Sequence, residues 1–132
     1  MSIRSDLLTQ LTTNLNGTNV SVSSEMPYIE GGETLFEANM KTLYVDEEQI
    51  SQETLYETLD SQNINVNVST LNAYLVVDAK NQLSDIATVI SNVLSAKSAI
   101  TNTISRESDY ETEIANDELT YTFEFRFEKT VN

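Results

Sequence analysis

The side chains of this sequence that could carry chemistry are carboxylates in two groups. One is a row at alternate positions, Asp109, Glu111 and Glu113, and the other is the consecutive run 46–48. Clustered oxygen ligands are what hard cations such as calcium prefer. However, the sequence has no Asp-x-Asp-x-Asp-Gly loop, and alternate residues of a strand lie about 7 Å apart. A solvated acidic surface is therefore the simpler interpretation of each group, and a calcium-binding module is the alternative.

The groups that most enzymes need are absent from the sequence. There is no histidine to act as a general base or metal ligand, and no cysteine to act as a nucleophile or thiolate ligand. Gly17, Gly31 and Gly32 lack the spacing of a phosphate-binding loop. A glycosidase would need two carboxylates across the scissile bond, and the chain has no tryptophan to form a sugar platform. We therefore predict that the protein is not an enzyme and has no catalytic residue, metal site or cofactor.

The charge balance restricts the partners of the chain. Its 132 residues include 21 acids and 7 bases, which gives a net charge of −14. Because phosphate backbones and anionic membrane surfaces would repel such a chain, we expect neither direct nucleic-acid binding nor membrane binding. The first ten residues lack the apolar run of a signal peptide, and no apolar run is long enough to span a bilayer. We therefore expect a single domain that is made in a cytoplasm.

Two stretches have the apolar periodicity of amphipathic helices. The first covers residues 3–15, with isoleucine or leucine at every fourth position and Gly17 placed to end the helix in a left-handed turn. The second covers residues 83–100, and Asn81 or Ser84 can cap its start. Its apolar stripe comprises Leu83, Ile86, Val89, Ile90, Val93, Leu94 and Ile100.

Alternation of apolar and polar residues predicts strands on both sides of the second helix. Before it, residues 19–24 and 34–45 predict two strands separated by a loop at residues 27–33. After it, residues 108–114 and 119–127 predict a hairpin.

The stretch 63–81 is the longest β-like run, and its pattern changes parity. Ile64, Val66 and Val68 occupy even positions, whereas the apolar residues from Leu71 to Val77 occupy odd ones. A period of two cannot change parity without a bulge or turn, so we predict one near residues 69–72.

The last strand has the most regular pattern in the sequence. Tyr121, Phe123, Phe125 and Phe127 alternate with polar residues, which places four rings on one face. These rings and the stripe of the second helix are the largest apolar surfaces of the chain, so we expect them to pack together. At about 25 cal/mol per Å² and about 150–250 Å² per ring, the rings alone contribute more than about 10 kcal/mol of gross burial.

The segment 46–62 is rich in acids and contains no base. Ser51 could cap a helix with Leu55 and Leu59 on one side, and a long acidic loop fits the pattern equally well. We expect this segment to protrude from the single domain 1–132, to be mobile in an isolated subunit and to become ordered against a neighbour.

The order of these elements predicts an α+β fold. A mainly antiparallel sheet would carry the N-terminal helix and the long helix on one face, with an acidic loop or arm in addition. The opposite face of the last strand carries Glu124, Arg126 and Glu128. That face could be solvated, or Arg126 could complete a subunit contact, since arginine is favoured over lysine at interfaces.

Three stretches of the sequence also resemble a known family. They are AYLVVDAKNQLSDIATVISNVLSAKSAI (73–100), RESDYETEI (106–114) and YTFEFRF (121–127). Together with the N-terminal helix and the acidic segment, they resemble the tail terminator proteins of tailed bacteriophages in length, composition and element order. The resemblance lies in this organisation and in no single motif.

The resemblance implies a structural protein of the virion, in the tail or neck, that is assembled in the host cytoplasm. Proteins of this family form a hexameric ring on the last ring of the tail tube, stop tube polymerisation and join the tail to the head. The implied partners are other copies of the chain in a homo-hexamer, the tail tube protein, a neck or head-completion protein and the tail sheath. DNA would pass through the ring without specific binding.

On this basis we predict one set of residues as partner contacts: Tyr44, Asp46, Glu47, Glu48, Tyr56, Glu124 and Arg126. The acidic segment would be the arm that reaches a neighbour. Within the structural class, another neck connector or a tube-like subunit is the alternative. Outside that class, the alternative is the small calcium-binding module.

Overall fold

A computed structural model of the chain describes residues 3–24, 42–57, 63–78, 83–115 and 118–130. These residues form two α-helices, a short 3-10 turn and six strands. The helices are α1 (Ile3–Asn14) and α2 (Ile86–Ser95), and the 3-10 turn (Ala96–Ala99) follows α2. The strands are β1 (Ser21–Ser23), β2 (Thr42–Val45), β3 (Gln49–Glu57), β4 (Asn63–Asp78), β5 (Ser105–Ala115) and β6 (Glu118–Thr130).

The strands form one mostly antiparallel sheet, which confirms the predicted α+β fold. Their order is β1-β2-β4-β6-β5, and β3 also pairs with β4. β1 and β2 are parallel, and the other described pairs are antiparallel. β6 therefore lies between β4 and β5, in the interior of the sheet, where its regular apolar face packs in the core.

The core lies between one face of the sheet and the two helices. The predicted packing is confirmed, because all four rings of β6 are buried in the same cluster as Val89 and Val93 of α2. Leu7 and Leu11 of α1 belong to this cluster as well. The apolar stripes of both helices and the ring face of β6 are thus buried against one another.

The ends of the helices are fixed by polar contacts. Gly17 has φ 88°, a left-handed conformation that glycine adopts without steric cost, and it follows α1 as predicted. Asn14 and Asn92 bind reciprocally, since the side-chain amide of each donates to the backbone carbonyl of the other at 3.0 Å. This exchange satisfies a carbonyl that the end of α1 leaves free and joins α1 to α2. Asp85, and not the predicted Ser84, is the N-cap of α2.

β4 is continuous where the change of parity predicted a bulge. It pairs with β6 in one unbroken register from Val66 to Asp78, so the bulge predicted near residues 69–72 is wrong. A register shift lies instead in the neighbouring strand β3, between Thr54 and Tyr56.

The parity changes because β4 has buried apolar residues on both of its faces, and Val76 in the second half is buried on the same face as Val66 and Val68. In the second half, the odd residues from Leu71 to Val77 belong to the core under the helices. In the first half, Val66 and Val68 are buried on the other face. A single straight register therefore protects apolar residues of both parities, and the strand needs no bulge.

The acidic segment forms a strand where we predicted a helix or a loop. Residues 49–57 are β3 and pair antiparallel with the first half of β4, so both alternatives are wrong for this stretch. The side chains of residues 49–53 are exposed. Backbone pairing to β4 holds β3, and the exposed side chains of residues 49–53 form no buried apolar face there, which explains why no periodicity revealed the strand.

Some predictions fall on residues that the structure does not describe. They are the loop at residues 27–33, the first part of the strand predicted at 34–45, and a cap at Asn81. The last part of that predicted strand is confirmed as β2.

Phe125 is the best test of the core, since it is fully buried and central in the row of rings. We expect Phe125→Ala to lower the free energy of unfolding by about 3–5 kcal/mol, through lost transfer energy and the cavity left behind. Glu124→Ala, one residue away on the exposed face, should change it by less than about 0.5 kcal/mol. Denaturant unfolding of both variants measures the difference, and equal small losses would contradict the assignment of faces.

Candidate interaction surface

The described helices cover one face of the sheet, and no described helix covers the other, which is open along β5 and buried at Tyr44, Val66, Val68 and Val76. Paired residues of neighbouring strands share a face, so the register places the even residues of β4 and β6 and the odd residues of β5 on the open face. We call this open surface the acidic face. Its carboxylates are Glu53, Asp78, Glu107, Asp109, Glu111, Glu113, Glu118, Glu124 and Glu128. Among the described residues of this face, Arg126 is the one base.

Arg126 is surrounded by carboxylates from three strands. Its guanidinium forms an ion pair with Glu128 on β6 and another, at 3.6 Å, with Glu53 on β3. Glu107 on β5 lies directly opposite Arg126 in the register. The hydrogen bond to Glu128, followed by the charges of the same three carboxylates, raises the pKa of Arg126 above its ordinary value. The guanidinium therefore stays charged and offsets part of the repulsion on this face.

The side chain of Arg126 also crosses a neighbouring strand. Its partner Glu53 belongs to β3, and β4 lies between β3 and β6. Arg126 is opposite Thr70 and Glu53 is opposite Val66, so the pair passes over Val68. The aliphatic part of an arginine covers apolar surface while its charged end stays in water. This placement accounts for the burial of Val68 on a face that carries no described helix.

Glu48, from the predicted acidic segment, is held at the N-terminus of α1. Its Oε1 accepts a hydrogen bond from the backbone N–H of Arg4 at 3.1 Å, and its Oε2 accepts one from the hydroxyl of Ser69 at 3.0 Å. A carboxylate here satisfies an N–H that the helix leaves free and complements the positive end of the helix dipole. The neighbouring Asp46 is fixed through its backbone N–H, which donates to the carbonyl of Asn72 at 2.8 Å.

The guanidinium of Arg4 joins α1 to the two parallel strands. It donates to the backbone carbonyls of Ser24 at 2.6 Å, Val45 at 2.8 Å and Asp46 at 2.9 Å. Ser24 directly follows β1 and Val45 ends β2. The planar fork of an arginine can reach several carbonyls at once, which a lysine ammonium does less well.

Tyr44 lies at the β2 side of the acidic face, in a polar and aromatic contact. Its ring stacks on Tyr74, with centroids 6.2 Å apart and planes at 16°. Its hydroxyl donates to Oδ1 of Asp46 at 3.2 Å. Burial, and then the charge of Asp46, raise the pKa of Tyr44 above the ordinary value of 10.0.

The structure leaves part of the predicted contact set accessible. Glu47 and Glu124 are exposed, and Arg126 is half-buried on the acidic face. The backbone of Tyr56 belongs to β3, while its side chain lies outside the described residues. Contact of these residues with a partner stays a prediction.

The other residues of the predicted contact set make contacts within the subunit. Tyr44 is buried, and Asp46 and Glu48 are half-buried in the contacts just described. Arg4, which organises these contacts, is a residue that the sequence did not single out. No local pattern could have indicated it, because its partners lie 20 to 44 residues further along the chain.

The sequence predicts that Arg126 lies opposite a strand rich in acids, and β5, which carries the row Asp109, Glu111 and Glu113, is that strand. The register pairs Asp109 with Glu124 and Glu107 with Arg126. In the described part of the chain, no three carboxylates converge closely enough to form a metal site.

No model of a known protein family and no curated protein matches the chain. Among the described residues, neither helix has the length and apolar composition needed to cross a membrane.

Arg4 offers a test of the contacts that hold α1. We expect Arg4→Met to lower the free energy of unfolding by about 2–4 kcal/mol, because charge-assisted hydrogen bonds to three carbonyls are lost. Arg4→Lys should lose less, since the charge remains. Lys129→Met removes the same charge from an exposed position, and its effect should be below about 0.5 kcal/mol. Denaturant unfolding compares the three, and equal values for Arg4→Met and Lys129→Met would contradict the assigned contacts.

Tyr44 should make the stability fall at alkaline pH. A raised pKa means that the folded state favours the neutral phenol, so this stabilisation is complete below pH 10.0 and is lost as the pH rises through the folded-state value. The same sign applies to Tyr121, whose pKa is raised by burial and then by Tyr110. We expect Tyr44→Phe to reduce the slope of stability against pH above about 10, and the Tyr44→Phe/Tyr121→Phe double variant to reduce it further. Urea unfolding between pH 8 and 11.5 measures the slope, and an unchanged slope in both variants would contradict the expectation.

Proposed function

We propose that the chain is a structural virion protein similar to phage tail terminators. In this role it forms a homo-hexameric ring on the end of the tail tube, stops tube polymerisation and connects the tail to the neck of the head. Its partners are then the tube protein, a neck or head-completion protein and the sheath. The α+β fold and the element order are consistent with the resemblance, and the absence of histidine and cysteine is consistent with a protein that works by contact.

The acidic face is the observation that carries this proposal. It is a broad and regular surface that carries carboxylates from β3, β4, β5 and β6, and those of β3, β5 and β6 surround one arginine. A ring that turns this face toward its channel would let DNA pass without binding, because like charges repel. Such a lining needs rigid support, and the core on the other side of the sheet supplies it.

The charge distribution also supports assembly that depends on salt. Each subunit carries a net charge of −14, so subunits brought side by side repel one another. In water this repulsion is weak for each pair but adds over many pairs, and salt screens it over roughly 10 Å at 0.1 M. Apolar contact between subunits has to overcome that repulsion.

We expect the isolated protein to shift toward a hexameric ring as the salt concentration rises, and to bind DNA weakly at every concentration. Sedimentation across a sodium chloride series, with negative-stain images of the largest species, measures the first effect. A parallel DNA-binding assay measures the second, and a DNA-binding protein would instead lose affinity as salt rises. A monomer that forms no ring even on a preassembled tail tube, or tight DNA binding at physiological salt, would contradict the proposal.

A charge-reversed variant sharpens the second measurement. Glu124→Lys/Asp109→Lys places two cations side by side on the acidic face, since these residues are paired between β6 and β5. We expect this variant to gain DNA affinity relative to the control Asp6→Lys/Glu47→Lys, which changes the net charge equally at exposed positions elsewhere. Equal DNA affinity for the two variants would remove the acidic face from the argument.

A further inference from the structure

β5 forms a long and regular free edge of the sheet. Its 11 residues pair with β6 from Ser105 opposite Glu128 to Ala115 opposite Glu118 without a register shift. Among the described residues no strand pairs with its other edge. Apart from Ser105 and Ser108, all its residues are exposed. The outward N–H and C=O groups of this edge are therefore available to another strand.

The two faces of β5 differ in chemistry. On the acidic face, Asp109, Glu111 and Glu113 form a row, and in the described structure no base lies within ion-pair distance of them. On the other face, Tyr110 is 38% exposed and Ile114 is 69% exposed. The edge thus combines free backbone groups, a row of negative charges and a row with accessible apolar side chains.

Protection against aggregation explains only part of this arrangement. Natural edges are blocked by short strands, charged side chains, proline, bulges or inward-pointing charges. β5 has the charged side chains, but it has 11 residues, no proline and no register shift. A second β5, paired antiparallel about Tyr110, would place Asp109 opposite Glu111 of the other copy, which is unfavourable. The edge therefore rejects its own copy while it leaves an isoleucine and a tyrosine exposed.

We propose that the free edge of β5 is a docking site for an extended segment of a partner protein that carries lysine or arginine at alternate positions and apolar residues between them. In a strand added to β5, alternate residues lie about 7 Å apart, the same spacing as the carboxylates of Asp109, Glu111 and Glu113. The basic side chains would meet this row, and the apolar ones would cover Tyr110 and Ile114. Backbone hydrogen bonds provide affinity in this mode, and the alternating side chains provide selectivity.

Two features place the segment on β5 and toward its C-terminal half. Among the described strands, the other long free edge is β3, whose acidic-face residues Gln49, Ser51 and Glu53 include one carboxylate, already paired with Arg126. At the start of β5, Arg106 would repel a basic partner. The stretch from Asp109 to Ala115 is therefore the site, and this inference does not depend on the proposed function.

The experiment uses the full chain and three labelled peptides. One peptide alternates lysine and valine, the second has the same composition in two blocks, and the third alternates glutamate and valine. We expect the first to bind about tenfold or more tightly than the second at low salt, and the third not to bind. Hydrogen exchange should show new protection of backbone amides in residues 109–115 and none in residues 49–53.

Charge reversal gives the decisive control. Glu111→Lys/Glu113→Lys should bind the glutamate–valine peptide about tenfold or more tightly than the lysine–valine peptide, a gain that a misfolded variant cannot produce. Asp6→Lys/Thr9→Lys/Thr12→Lys, at exposed positions of α1, has the same net charge and should keep the original preference.

Four results would overturn the proposal. They are equal binding of the alternating and block peptides, protection at β3, no binding at low salt, and pairing of β5 with a second copy at neutral pH.

Discussion

The burial of four aromatic rings on one face of β6 determines which residues of the whole sheet face the core and which face away from it. The rings require a cover, and α1 and α2 supply it from one side. Because alternate residues of a strand point in opposite directions, every polar residue between the rings must then point to the other side. β4 and β5 are paired with β6 in unbroken register, so they inherit the same division. The acidic face is in this sense a consequence of the core.

The concentration of charge on one surface is tolerable because that surface is wet. Carboxylates about 5–7 Å apart repel weakly in water, and salt screens them further. Where the face is drier, beside Val68, the structure places Arg126 with two carboxylate partners. Charge is therefore balanced locally at the one place where imbalance would cost most, and elsewhere it remains free to act on partners.

The sequence predicts those parts of the fold whose signal is local. The periodicity of α1, the alternation of β6 and the hairpin of β5 and β6 each appear within about a dozen residues, and all are confirmed. β3 was missed because backbone pairing to β4 holds it and its side chains carry no apolar pattern. The change of parity in β4 could not be interpreted without knowing that Arg126 covers one half. Of the candidate site, the acidic and basic residues were visible, but their neighbourhood depends on pairing across three strands. Arg4 and Glu48 meet across 44 residues, beyond any local rule.

The position of β6 within the sheet has a consequence for biosynthesis. This strand follows every other described element in chain order, yet it is inserted between β4 and β5. During translation, both described helices and the other five described strands emerge before the rings of β6, and a 12-residue helix is marginal on its own. The sheet therefore closes late, once β6 enters the gap. Until then β5 has two open edges, and its row of carboxylates repels the equivalent strand of a neighbouring nascent chain. β4 waits longer than β5 for β6, because α2 and β5 are both made between β4 and β6. The charges of β5 therefore protect its edges only for the short interval before the adjoining β6 is made.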